Sequence, residues 1–157
     1  MGAQLVTEQE IPTVPWLDDS TAGLLRAIIA LVAQRHPNLR AAILFGSIAR
    51  HDERPISDPH PSDVDVLMLF DVDPGESDIP FNQYRAIFTT VGMAQDRYLD
   101  APREVKIMPT IWHVTEVWDP LFVENVAREG RLLWARGPLP DALAPVATRR
   151  LAAYAPR

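Results

Sequence analysis

The stretch that decides the fold begins with Ile43-Leu44-Phe45-Gly46-Ser47 and resumes, after a charged loop, with Ser62-Asp63-Val64-Asp65-Val66-Leu67-Met68-Leu69-Phe70. Its two apolar runs predict two strands covered on both faces, as in an α/β layer. Because side chains alternate along a strand, Asp63 and Asp65 should lie side by side on one face. Adjacent carboxylates can present a divalent cation to a phosphate, and Mg²⁺ prefers such oxygen ligands. The sequence therefore predicts a Mg²⁺ site at Asp63 and Asp65, and with it phosphoryl or nucleotidyl transfer.

The Gly46-Ser47 pair fits the phosphate side of such a reaction. Glycine permits close approach of the backbone to a ligand, and a helical turn that follows it points free N–H groups at an anion. Ser47 offers a hydroxyl to a phosphate oxygen. Arg50 lies one turn further on, where it can pair with a phosphate or with a carboxylate. A Gly-Ser pair alone is common, but one that ends a strand before an Asp-x-Asp strand is far more specific.

The composition is that of an ordinary globular chain with one domain: 157 residues, 47% hydrophobic and 23% charged. The absence of cysteine excludes disulfides, thiolate catalysis and cysteine-based zinc sites. A net charge of −6 disfavours binding along a polynucleotide, so there is no strong nucleic-acid signal. No apolar run reaches the roughly 18 residues of a membrane span. We expect a cytoplasmic protein.

Hydrophobic periodicity and clusters of proline divide the chain into an N-terminal arm (1–18), a central domain (19–136) and a C-terminal tail or helix (137–157). Hydrophobic spacing, capping residues and prolines place the elements of the central domain. They predict a helix from Asp18–Ser20 to about His36, strands over 41–46 and 63–70, a helix from 81 to about 99, a strand over 104–108 that Pro109 ends or places at a sheet edge, a helix from Asp119-Pro120 to Gly130 and an edge strand over 132–134.

Two segments, Gly46-Ser47-Ile48-Ala49-Arg50 and Ser62-Asp63-Val64-Asp65, resemble the DNA polymerase beta-type nucleotidyltransferase superfamily, especially its minimal (MNT-like) members. That family has a Gly-Ser-x-Ala-Arg turn and then Ser-Asp-x-Asp at the head of a hydrophobic strand. The resemblance covers roughly residues 20–135, including a late Arg-Glu-Gly-Arg-Leu-Leu-Trp segment. It implies an α/β (α+β) nucleotidyltransferase fold, a mixed sheet flanked by helices. It also implies Mg²⁺ and the transfer of a nucleoside monophosphate from a triphosphate, for which ATP is our first expectation.

The resemblance also assigns roles. Gly46 and Ser47 would hold the triphosphate, and Asp63 and Asp65 would bind Mg²⁺ as catalytic carboxylates. We add Arg50 and Ser62 to the nucleotide-binding set.

Three departures from the family pattern bear on catalysis. The family has glycine where His51 stands, and the loop before Ser62 is longer than usual. The family's third carboxylate lies on a later strand, in a context that here reads Val105-Lys106-Ile107. Glu104, two residues before Lys106 and therefore on the same strand face, is the substitute candidate. Without it the usual position of the general base is empty.

These observations leave several functions open. The leading one is Mg²⁺-dependent nucleotidyl transfer to an acceptor hydroxyl. The resemblance suggests a partner protein as acceptor, such as the HEPN-type ribonuclease toxin that an antitoxin of this family nucleotidylates. A small acceptor of the aminoglycoside type is a second possibility. The alternative to an enzyme is a degenerate nucleotide- or partner-binding module, for which Lys106 is the best support.

Overall fold

The computed structural model describes residues 11–55, 57–59, 62–71, 85–92, 107–114 and 118–149. In chain order its elements are α1 (Asp19–Arg35), β1 (Leu39–Phe45), α2 (Gly46–Arg50), β2 (Val64–Phe70), α3 (85–92), β3 (Ile107–His113), α4 (Pro120–Glu129), β4 (Arg131–Ala135), a 3-10 turn (Asp141–Leu143) and α5 (Ala144–Ala147).

The four strands form one mixed sheet in the order β3-β2-β1-β4. Strand β1 is antiparallel to both β2 and β4, and β2 runs parallel to β3. The predicted fold class, a mixed sheet flanked by helices, is confirmed. The apolar runs of β1 and β2 lie at its centre, where both faces are covered.

Each face of the sheet packs against a different group of helices. On one face, α1 supplies Leu25, Ile28 and Val32 to a cluster that includes Leu44 and Val66 of the strands. On the other face, α4 and α5 supply Val126 and Val146, which pack with Ile43, Leu67 and Leu69. Because residues two apart share a face, Asp65 belongs to the face of Leu67 and Leu69, and Asp63 immediately precedes the strand. The Asp65 carboxylate therefore lies on the side of the sheet that carries α4.

Two helices begin and end close to the residues that the sequence predicts. The Asp18 carboxylate caps α1 by accepting from the N–H of Thr21 at 3.1 Å, and His36 is its C-cap. The Asp119 carboxylate accepts from the N–H of Leu121 at 2.9 Å, ahead of a proline in the first turn of α4. These caps satisfy N–H groups that a helix cannot pair internally.

The predicted end of β3 is wrong. The strand does not stop at Pro109 but runs to His113, paired with β2 from Val64 opposite Ile107 to Phe70 opposite His113. Proline is tolerated because β3 lies at the edge of the sheet, where a missing N–H breaks no ladder on the open side. The alternative placement of Pro109 at a sheet edge is therefore confirmed. Glu104 lies outside the described residues.

Segments beyond the predicted central domain also contribute to the core. Ile11 and Val14 are buried with α1, and Leu143 and Val146 are buried against the α4 side. The predicted helix over 81–99 is described only at 85–92, which is helical. The limits of the arm, domain and tail stay predictions. Among the helices that the structure describes, none combines the length and apolarity needed to cross a membrane.

Candidate functional site

Gly46 stands where β1 passes directly into α2, and its geometry requires glycine. Its φ of +79° lies in the left-handed region, which side chains disfavour. A Cβ at this position would also lie 2.4 Å from Oδ2 of Asp65, far inside van der Waals contact. The pairing of β1 with β2 produces this approach, because Phe45 lies opposite Asp65. The turn and the second aspartate of the motif are thus in direct contact.

Asp63 and Asp65 form the acidic part of the site. Asp63 is exposed and Asp65 is half-buried. Burial raises the pKa of the Asp65 carboxyl, and the negative charge of Asp63 raises it further. Arg50 opposes this shift, whereas Glu129 adds to it. Two other carboxylates and one guanidinium therefore influence the charge of Asp65.

Glu129, the last residue of α4, is a site residue that the sequence reasoning missed. Its Oε1 accepts from the backbone N–H of Gly46 at 3.1 Å, and its Oε2 accepts from Arg50 at 2.8 Å. Its side chain is only 11% exposed. The contact with Gly46 joins residues 83 positions apart, so no local spacing could reveal it. The available signal was the late Arg-Glu-Gly-Arg-Leu-Leu-Trp segment, which the resemblance includes but to which it assigns no site residue.

Arg50 and Ser62 have protein partners in this structure. Arg50 donates to Glu129 and, through Nε at 3.1 Å, to Asp52. These bonds, above all the one with Glu129, raise the pKa of Arg50. The Ser62 hydroxyl accepts from the N–H of Arg54 at 2.8 Å and so fastens the loop ahead of β2. Both residues border the site, and a role for either in nucleotide binding stays a prediction.

Ser47 lies within the α2 turn and is half-buried. Its carbonyl accepts from the N–H of Asp52 at 3.0 Å, which closes the turn. The structure therefore brings Gly46 against Asp65, with Ser47 next to Gly46 in the chain and Asp63 just ahead of β2. Glu104, the predicted third carboxylate, cannot be placed because it lies outside the described residues.

His51 occupies the position where the resembled family has glycine, and its backbone explains that preference. Its φ is +61° and its ψ is +39°, the left-handed conformation in which glycine pays no steric cost. The imidazole stacks on the Trp16 ring, with centroids 4.3 Å apart and planes 9° apart. The Trp16 indole in turn donates to the carbonyl of Ile48 at 2.8 Å. We infer that stacking offsets the strain of a side chain at this position.

The site residues fit Mg²⁺ by their chemistry. Two carboxylates lie two residues apart, at Asp63 and Asp65. Burial and repulsion disfavour the charged form of Asp65 and so raise its pKa, and a nearby cation would stabilise that charged form. Among the residues that the structure describes, no group of three His, Asp or Glu side chains is placed to hold one metal ion. Mg²⁺ commonly takes one or two carboxylates and completes its shell with water and substrate phosphates. Asp63 and Asp65 are the residues that could supply that protein share.

No family model and no curated protein matches the chain. Solved structures do match, and the three described next each share 18% identity with the chain. They include a toxin–antitoxin with AMP-PNP (TM-score 0.46, covering 78% of this chain and 80% of that one). A mutant of the toxin–antitoxin MntA–HpeT has a TM-score of 0.46, with 80% of this chain and 81% of that one covered. A candidate nucleotidyltransferase from Sulfolobus solfataricus has a TM-score of 0.45, with 78% and 94% covered.

Proposed function

We propose that the chain is a Mg²⁺-dependent nucleotidyltransferase that moves a nucleoside monophosphate from a triphosphate, with ATP first among the expected donors, to an acceptor hydroxyl. One observation carries the proposal: the carboxylate of Asp65, with Asp63 beside it, packs against the glycine of a Gly-Ser turn at the end of β1. This contact supports a cation site at Asp63 and Asp65 next to a phosphate site at the Gly-Ser turn. Transfer of a phosphoryl group depends mainly on such positioning and on charge neutralisation.

Each residue of the candidate site has a separate role in this proposal. Asp63 and Asp65 would hold Mg²⁺, which when bound neutralises the phosphate charge and aligns the reacting oxygens. Gly46 lets the backbone lie close to the triphosphate, and Ser47 offers its hydroxyl to a phosphate oxygen. Arg50 supplies the nearest positive charge of the turn. The position of Glu104 as the third catalytic carboxylate remains part of the proposal.

The sequence resemblance also suggests which kind of acceptor receives the nucleotide. The resemblance of the Gly-Ser-x-Ala-Arg and Ser-Asp-x-Asp segments to minimal nucleotidyltransferases points to a hydroxyl on a partner protein, such as a HEPN-type toxin. The product of a neighbouring gene is the first partner to try. ATP labelled at the α-phosphate should then leave its label on that partner, whereas ATP labelled at the γ-phosphate should not.

Calorimetric titration of ATP, GTP, CTP and UTP, with and without Mg²⁺, tests the core of the proposal. We expect Mg²⁺-dependent binding that Asp63→Asn and Asp65→Asn each abolish while the fold persists, because each variant removes a cation ligand. Circular dichroism would check the fold of both variants. Binding that survives in both would refute the site, and no binding to any triphosphate by the wild type would refute the proposed function for the isolated chain.

A second candidate function is a nucleotide-binding module without turnover. It is favoured by the residue opposite Asp65 on β3, which is Met108, an exposed side chain with no acid or base chemistry. It is also favoured because Glu129, the further carboxylate acting on Asp65, is engaged by Gly46 and Arg50. Nucleotide binding with no label transfer to a cognate partner would support this function. Loss of transfer in Glu104→Gln, with binding retained, would instead support the enzyme.

A further inference from the structure

Helix α2 carries the candidate phosphate-binding turn, yet it does not cap itself. It has only five residues, and the residue before it, Phe45, has no side chain that could accept from its first N–H groups. Short helices leave most of their N–H and C=O groups without internal partners. A helix of this length is therefore held in shape by contacts from outside it.

The segment Glu129-Gly130-Arg131 supplies contacts at both ends of α2. At the N-terminal end, Glu129 accepts from the N–H of Gly46 at 3.1 Å. Its second oxygen accepts from Arg50, in the last turn of the same helix. At the C-terminal end, the Nε of Arg131 donates to the carbonyl of Ala49 at 2.9 Å. A carboxylate thus meets the free N–H and a guanidinium meets the free C=O, each the matching charge for that end of a helix.

Two neighbours fix this segment in place. Gly130 lies so close to β1 that a Cβ would be 2.9 Å from Cγ2 of Ile43, so the junction of α4 and β4 rests directly on the sheet. The Arg131 guanidinium lies over the Trp16 ring, 5.2 Å from its centroid. Trp16 also holds the carbonyl of Ile48. Two carbonyls in the last turn of α2, those of Ile48 and Ala49, therefore accept from two side chains that are in contact with each other.

We propose that Glu129-Gly130-Arg131 is a clamp on the Gly-Ser turn, and that Glu129 is a positioning residue acting through the N–H of Gly46 rather than a group that touches the nucleotide. Where this concerns nucleotide affinity, it rests on the proposed function. The contacts join backbone groups of the turn to the side chains of Glu129 and Arg131, which lie at the junction of α4 and β4. The clamp holds Gly46 and Ser47 in place before any nucleotide arrives, which lowers the entropic cost of binding.

The test compares Glu129→Ala, Glu129→Gln and a matched control, Glu124→Ala, which removes an exposed carboxylate from the same helix. The first measurement is amide hydrogen exchange at residues 46–51 without nucleotide. The second is the affinity for ATP with Mg²⁺. For Glu129→Ala we expect exchange there to rise and affinity to fall, each by about tenfold. Glu129→Gln keeps an oxygen for the N–H of Gly46 and should restore most of both, whereas Glu124→Ala should change neither.

Each other result overturns the clamp. Tighter nucleotide binding by Glu129→Ala would mean that Glu129 competes with phosphate for Gly46 and Arg50. Unchanged exchange at 46–51 would mean that Glu129 does not hold the turn. If the wild type binds no triphosphate, the proposed function fails, but exchange at 46–51 still decides the clamp. If Glu129→Ala does not fold, Glu129→Gln decides: wild-type protection at 46–51 supports the clamp, and fast exchange there refutes it.

Discussion

At the scale of single residues, Gly46 and His51 bound the turn, and both have positive φ. They meet this demand in different ways. Gly46 has no Cβ, and the adjacent Asp65 carboxylate leaves no room for one. His51 has a side chain, which stacks on Trp16. The positive φ is thus tolerated at Gly46 because there is no side chain, and at His51 because the side chain gains a contact with Trp16.

Gly46→Ala should destabilise the fold and disable the site. The new Cβ would lie in a disfavoured conformation and 2.4 Å from Asp65, so the carboxylate must move. We expect a loss of about 1–3 kcal/mol in the free energy of unfolding, measured in urea, together with loss of Mg²⁺-dependent nucleotide binding.

Gly23→Ala is the matched control, because a Cβ there would meet nothing within 4 Å and Gly23 lies inside α1. It should stabilise the protein by roughly 0.5–1 kcal/mol, since alanine is the better helix former. A Gly46→Ala variant as stable as the wild type would contradict the tight contact.

His51→Gly should be nearly neutral for stability, whereas His51→Val should be clearly destabilising. Glycine loses the stack on Trp16, worth about 0.5–1.5 kcal/mol, but removes the left-handed strain of roughly 1 kcal/mol. Valine loses the stack and keeps a strained, β-branched residue at φ +61°. Urea unfolding of both variants measures the difference, and a glycine variant less stable than the valine variant would refute this account of His51.

At the scale of elements, the junction of α4 and β4 connects the sheet to the candidate site. The helix ends at Glu129, and the strand begins two residues later at Arg131. Gly130 between them has φ −62° and ψ 145°, an extended conformation open to any residue. The sequence predicts that α4 ends at Gly130, and Gly130 is its C-cap, but glycine is needed there for lack of space and not for a left-handed backbone.

Gly130→Ala should therefore destabilise the protein by overpacking. Its Cβ would lie 2.5 Å from the carbonyl oxygen of Val126 and 2.9 Å from Cγ2 of Ile43, so the junction must shift. We expect a loss of about 1–3 kcal/mol in urea unfolding. Gly137→Ala, whose Cβ would meet only the Arg40 side chain at 3.6 Å, should stay within about 0.5 kcal/mol of the wild type. Equal effects of the two variants would argue against the close packing of Gly130 on β1.

At the scale of the whole molecule, the negative charge of the candidate site lowers the free energy of unfolding. The pKa of Asp65 is raised by burial first and then by Asp63. The folded state thus holds this proton more tightly than the unfolded chain does. The stability linked to that proton is present below the ordinary pKa of aspartate and is lost as the pH rises through the raised value. At neutral pH and without a cation, the charged Asp65 weakens the fold.

Asp65→Asn should accordingly raise the Tm of the metal-free protein at neutral pH. We expect a gain of roughly 1–3 °C, because the half-exposed carboxyl is partly screened by solvent and about 1 kcal/mol moves Tm by only a few degrees in a chain of this size. Thermal unfolding with EDTA at several pH values measures it, and the gain should shrink towards zero as the pH falls to about 4.

Added Mg²⁺ should raise the Tm of the wild type but not that of Asp65→Asn, because only the wild type keeps both carboxylates. Glu124→Gln, which changes an exposed carboxylate of α4, is the control and should leave Tm and its pH dependence unaltered. A lower Tm for Asp65→Asn at neutral pH would contradict the cost assigned to the charged carboxyl.

Much of the fold was predictable because its signals are local. The cap at Asp18, the Asp-Pro start of α4 and the apolar runs of β1 and β2 each lie within a few residues of the element that they specify. Pro109 was ambiguous for a physical reason. Proline stops a strand only where a neighbour needs its N–H, and whether β3 lies at an edge depends on the order of strands in the sheet.

The central strands and the caps of α1 and α4 follow from the amino-acid sequence, because alternation and capping act over short distances. The contact of the Asp65 carboxylate with Gly46, and those of Glu129 and Arg131 with the turn, arise only when the chain folds. The contacts that Glu129 and Arg131 make with the turn join residues 79 to 83 positions apart, where α2 meets the α4–β4 junction. No pattern within a segment encodes such a meeting, because it depends on how the whole sheet pairs and where α4 ends on it.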